Sequence, residues 1–191
     1  TMRVSRLVIN MSLPIILSML VQAMYNIVDS IFVARIQDTA AVAGSSGGTA
    51  ALTAVGLAFP FQMLLIAVSG GTGVGINAML SKALGEKDHE TVKKTANHAV
   101  FLVGVAYIIF LIAGVFLAET LIQSQGGMGL ALTYGTQYLR IVYIGAGAVL
   151  TQVTFERLLQ STGRTFYSMI AQMTGAIINI ILDPIFIFGY F

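Results

Sequence analysis

Apolar positions dominate this chain in five long runs separated by short polar connections: Leu7–Val33, Leu52–Leu80, Ala96–Ala118, Leu132–Phe155 and Phe166–Phe191. A helix that crosses a bilayer needs about 20 mostly apolar residues, and each run supplies them. Runs of this length exceed the roughly 10 residues of a barrel strand, so a β-barrel is excluded. The pattern predicts an all-α, polytopic bundle with five transmembrane helices. The first run is too long for a signal peptide, and no small-residue cleavage site follows it.

Polar residues inside the runs are few and periodic. On the first predicted helix, Gln22, Tyr25, Asn26, Asp29 and Val33 recur at i, i+3, i+4, i+7 spacing and share one face. Such a stripe must face protein or water rather than lipid. Pro14 sits near the start of that helix and is expected to bend it. On the fifth, Asn179 and Asp183 lie four apart on one face, and Pro184 follows directly. Proline has no N–H, so the carbonyl of Ile180 loses its helical donor. A carboxylate, an amide and a freed carbonyl then offer three oxygens, the ligand type that hard cations prefer. A pair of acids in apolar surroundings can instead hold a proton, because burial and a second nearby acid both favour the protonated form.

Charge sharpens the topology. Of 191 residues only 9% are charged and 57% are hydrophobic, against about 25% charged in soluble domains. A soluble enzyme and a disordered chain are both excluded. Eight of the ten basic residues (Arg3, Arg6, Lys82, Lys87, Lys93, Lys94, Arg157 and Arg164) fall on one side of the predicted spans. The positive-inside rule therefore places the N-terminus in the cytoplasm and the C-terminus outside. The segment Lys82–Lys94 is expected to be a solvated connection. Gln37–Thr49 is expected to be a flexible outer connection rich in Gly, Ser and Ala, and Ser124–Thr133 a glycine-rich one.

The remaining chemistry is sparse. There is no cysteine, hence no disulfide and no thiolate metal site. A formal charge of +2, without a basic patch, gives no argument for nucleic acid. No triad, zinc spacing or phosphate loop is present, so the chain is not expected to be an enzyme and no cofactor is implied. Gly71-Thr72-Gly73-Val74-Gly75 looks like half a dinucleotide loop, but it lies inside an apolar span. There, these glycines and Gly70 are expected to let helices approach closely. A charge at the bilayer centre costs at least about 2.5–3.5 kcal/mol, so Asp29, Arg140 and Asp183 stand out. Arg140 is expected to snorkel to the outer interface together with Tyr138, and His98 to be a helix-end residue.

At these residues the sequence resembles a known family. Leu13-Pro14-Ile15-Ile16-Leu17 and the stretch from Gln22 to Val33 (QAMYNIVDSIFV) are similar to the first helix of multidrug and toxic-compound extrusion (MATE) transporters. Ala54–Pro60 (AVGLAFP) is similar to the second helix. Gly85 matches the first cytoplasmic loop, Leu158–Arg164 (LLQSTGR) the connection before the fifth helix, and Asn179–Pro184 (NIILDP) a fifth-helix signature. The likeness covers almost the whole chain.

The resemblance implies a lobe of a twelve-helix exporter of cationic, lipophilic drugs and dyes, driven by inward H⁺ or Na⁺. It implies a multi-pass protein of a bacterial or archaeal plasma membrane. Its cation or proton site falls on Asp29, Asn179 and Asp183, with Na⁺ there as the one metal in prospect. Its substrate cavity falls on Gln22, Tyr25 and Asn26. The implied partners are the lipid bilayer, cationic small molecules and a second lobe. That lobe is either a missing C-terminal half or a second copy of the chain. Residues 1–191 are thus expected to form a partial N-lobe. Two alternatives remain. One is a non-transporting helix module whose acids pair with Arg140. The other is a lobe of a lipid-linked sugar flippase, whose cavity would need several cations for phosphate.

Overall fold

The computed structural model describes the backbone of residues 4–42 and 47–188. It describes side chains at residues 8–25, 27–28, 50, 52–182 and 185. All regular structure among these residues is helical. In order they are α1 (Val4–Val42), α2 (Gly47–Gly85), α3 (His89–Ile112), a π-helical turn (Ala113–Leu117), α4 (Ala118–Ser124), α5 (Gly129–Ile144), α6 (Ala146–Ser161) and α7 (Thr165–Phe188). Taking α5 and α6 as one bent span gives the five predicted crossings.

Several boundaries differ from expectation, for local reasons. The expected flexible segment Gln37–Thr49 is largely helix, since α1 runs to Val42 and α2 begins at Gly47. Ala40 and Ala41, the best helix formers, favour that extension. At 39 residues each, α1 and α2 reach about 58 Å, well beyond a hydrocarbon core of about 30 Å. The connection after α4 is shorter than Ser124–Thr133 and tightly built. Gly126 has φ 85° and Gly129 φ 55°, conformations that side chains disfavour. A Cβ on Gly127 would lie 2.9 Å from the Ile122 carbonyl oxygen.

The solvated connection Lys82–Lys94 is mostly helical, with a compact turn at its centre. α2 continues to Gly85, and α3 already starts at His89. Asp88 caps α3: its Oδ1 accepts from the backbone N–H groups of Glu90 and Thr91, both at 3.1 Å. Lys82–Glu86 and Lys94–Glu90 form exposed ion pairs one turn apart at 3.9 and 2.6 Å. Span four is not one straight helix. It bends by 41° at Gly145, between α5 and α6.

The chain divides into two compact units, residues 1–45 with 162–191 and residues 46–161. In the first, α1 packs against α7. Ser18, Thr165, Ser168 and Ala176 are buried there. These small side chains let membrane helices approach closely, where apolar bulk gains nothing over lipid. The helix passes uninterrupted through Pro14, and the Ser18 hydroxyl donates to the Ile15 carbonyl at 2.8 Å.

In the second unit α2 packs against α3, α5 and α6. Its core joins Ala58 and Leu65 of α2, Phe110 of α3, Ala118 and Ile122 of α4, Leu139 and Tyr143 of α5, and Ala146 and Leu150 of α6. Large apolar side chains such as Phe101, Phe116 and Ile141 are exposed instead, as suits a lipid-facing surface.

Candidate functional site

The site expected from sequence lies on α1 and α7. The polar stripe of α1 begins one turn earlier than the sequence reading placed it. Ser18, Gln22, Tyr25 and Asp29 follow at four-, three- and four-residue steps. Ser18 is buried, Tyr25 half-buried and Gln22 exposed. Ser18 was legible by the same spacing, but a lone serine in a greasy helix carries little signal by itself. Asn179 of α7 is exposed. Exposed amides on apolar spans need water or protein opposite them, since lipid offers no hydrogen bond. The side chains of Asn26, Asp29, Asp183 and Pro184 lie outside the described residues. Their backbones lie within α1 and α7, which pack together in one unit.

The second unit holds polar contacts that sequence reasoning missed. The Tyr138 hydroxyl accepts a hydrogen bond from Gln62 Nε2 of α2 at 2.8 Å. Tyr143 is fully buried, and its hydroxyl donates to the Phe61 carbonyl at 3.1 Å. Near the end of α6, Gln160 bridges two charged neighbours. Its Nε2 donates to Glu156 Oε1 at 2.7 Å, while its Oε1 accepts from Arg157 Nη1 at 2.9 Å. Burying Gln160 is tolerable because both ends of its amide are satisfied. Arg140 is exposed and forms no ion pair among the described residues. His98 Nδ1 lies 2.7 Å from the Lys94 carbonyl oxygen, a local contact within α3.

The glycine cluster of α2 divides in two. A Cβ on Gly73 would meet Arg157 Cγ at 2.9 Å and Val153 Cγ1 at 3.3 Å, so Gly73 permits close approach of α6. Among the described residues Gly70, Gly71 and Gly75 have nothing within 4 Å, so packing between those residues does not account for them.

Residues 42–185 match the MatE family profile. The multidrug export protein MepA of Staphylococcus saprophyticus is 25% identical over 179 residues, 94% of this chain and 38% of that protein. A FAD transporter of Shewanella oneidensis is 26% identical over 186 residues, 97% of this chain and 39% of that protein. The crystal structure of MATE in complex with MaD3S aligns with a TM-score of 0.84 at 29% identity, over 94% of this chain and 38% of that one. The chain spans about two fifths of the length of the curated relatives it matches.

Proposed function

The chain belongs to the MatE family, and on that premise we propose that it is the N-terminal lobe of a cation-coupled exporter of cationic, lipophilic drugs and dyes. The observation that carries the reading is the packing of α1 on α7 in one compact unit, because these helices bear the two intramembrane acids of the sequence. The proposed coupling site is Asp29, Asn179 and Asp183, and the coupling ion is H⁺ or Na⁺. Two carboxylates in low dielectric repel each other unless a proton or cation sits with them. An incoming ion and a cationic drug then compete for the same negative charge, which makes their exchange obligatory. Gln22, Tyr25 and Asn26 continue the polar face towards the cargo. The setting is the plasma membrane of a bacterium or archaeon, and the remainder of the cavity comes from a second lobe.

The Shewanella oneidensis FAD transporter favours a second reading, because its identity and coverage match those of the drug exporter. FAD is anionic, and a cavity for it needs basic side chains. Within the predicted spans this chain offers only Arg140, and the same shortage weighs against a lipid-linked sugar flippase.

The direct test is Asp183→Asn in the full-length protein, followed by dye efflux from cells. Efflux is expected to fall to the level of cells without the transporter while membrane insertion stays intact. Efflux equal to that of the unmodified protein would remove Asp183 from the mechanism.

A further inference from the structure

Three spans of the second unit lose regular helical bonding, and tyrosines link the three places. In α2, Pro60 brings no N–H, so the Gly56 carbonyl lacks its helical donor. In span three the helix widens into the π turn Ala113–Leu117 before α4 resumes. In span four the chain bends by 41° at Gly145. There the Gly145 N–H donates to Ile141 at 2.9 Å, and the Ala148 N–H donates to Gly145 at 3.1 Å rather than to Ile144.

The Tyr143 hydroxyl donates to the Phe61 carbonyl, next to Pro60. Its ring stacks edge-on against Phe110 of α3, with centroids 5.1 Å apart. A Cβ on Gly114, inside the π turn, would lie 2.6 Å from Tyr143 Cβ, so the π turn rests directly on α5. Tyr107 of α3 donates its hydroxyl to the Ile144 carbonyl at 3.3 Å, the acceptor left over by the bend. Its ring also covers Gly147, where a Cβ would approach to 3.1 Å.

We propose that these three irregularities form one bending layer, pinned by Tyr143 and Tyr107, about which the two halves of the second unit flex. Helix breaks cost backbone hydrogen bonds, and in a membrane each lost bond must be replaced by protein. Here Tyr107 supplies a replacement bond to the Ile144 carbonyl, and Tyr143 adds a bond between spans one residue past Pro60. The three breaks adjoin one another, so one small change in angle is shared among α2, α3 with α4, and α5 with α6. Packed cores switch between discrete arrangements rather than deforming smoothly. The layer itself does not depend on the cargo, whereas its use in alternating access rests on the function proposed above.

The sequence contains no cysteine, so spin labels can be added to this segment without removing any residue. We would place them at Lys93→Cys in α3 and Thr133→Cys in α5 of the full-length protein in lipid nanodiscs. Swinging α5, an arm of 16 residues and about 24 Å, through 41° moves its tip by roughly 17 Å. Double electron–electron resonance is expected to give two distances separated on the order of 10 Å. Gly145→Ala, which restores a helix former at the bend, should collapse them to one. Tyr143→Phe, which removes only the hydroxyl, should shift their balance. If Tyr143→Phe does not fold, Tyr107→Phe reports on the same layer. A single narrow distance that neither substitution moves would overturn the proposal. Distances that respond as expected in a protein without dye efflux would uphold the layer and count against the function instead.

Discussion

At Asp88, three hydrogen bonds converge on one carboxylate: two from the backbone of Glu90 and Thr91, and one from the Thr91 hydroxyl. All three favour the ionised form. The Thr91 hydroxyl bond contributes most to holding the carboxyl below its usual 3.8. A carboxyl lowered on folding stabilises the fold above its unfolded pKa, and that contribution disappears as pH falls through the lower folded value. The capping turn is therefore expected to keep its protection from pH 7 down to about pH 4 and to fray below pH 3.8. Hydrogen exchange at Glu90 and Thr91 measures this. Asp88→Ala should show the frayed rate at every pH, whereas Asp88→Asn should keep part of the protection without the pH dependence.

Residue-scale chemistry was legible where charge made it costly. Asp29, Asp183 and Arg140 stood out because apolar surroundings penalise ions wherever they fall. The pairs Gln62–Tyr138 and Tyr143–Phe61 were not legible. Each joins residues about 80 positions apart, and which faces meet depends on helix rotation that no spacing encodes.

At the scale of elements, the five apolar runs sufficed to find the spans, because bilayer thickness dictates their length. They did not locate the bend at Gly145 or the π turn at Ala113–Leu117. Glycine is common in straight membrane helices too, so its presence alone does not mark a break. Neighbours decide the matter, and the glycines of this chain allow a direct comparison. Gly114 lies where a Cβ would overlap Tyr143, while Gly75 faces open space among the described residues. Gly114→Ala is expected to cost about 1–3 kcal/mol through overpacking. Gly75→Ala should be neutral or stabilising by up to about 1 kcal/mol, from helix propensity alone. Thermal unfolding of the two variants in one detergent checks the contrast.

At the scale of the whole molecule, the chain is an all-α membrane protein that matches about two fifths of each curated relative. The first- and fifth-helix motifs, QAMYNIVDSIFV and NIILDP, were readable because they carry polar residues that cannot be lipid-facing. The division into a unit of α1 with α7 and a unit of α2 to α6 was not readable. Each helix is apolar nearly all round, so sequence patterning does not tell which neighbour it meets. The central claim is that ion entry drives drug exit through the acids of α1 and α7. Its most direct test is transport by the full-length protein in liposomes that contain no other carrier. A lipophilic cationic dye is supplied on one side, with an opposing H⁺ or Na⁺ gradient imposed across the bilayer. The account predicts dye movement against the ion gradient, abolished when that gradient is collapsed and absent in Asp29→Asn and Asp183→Asn. Dye movement that ignores both gradients, or that persists in both variants, would contradict it.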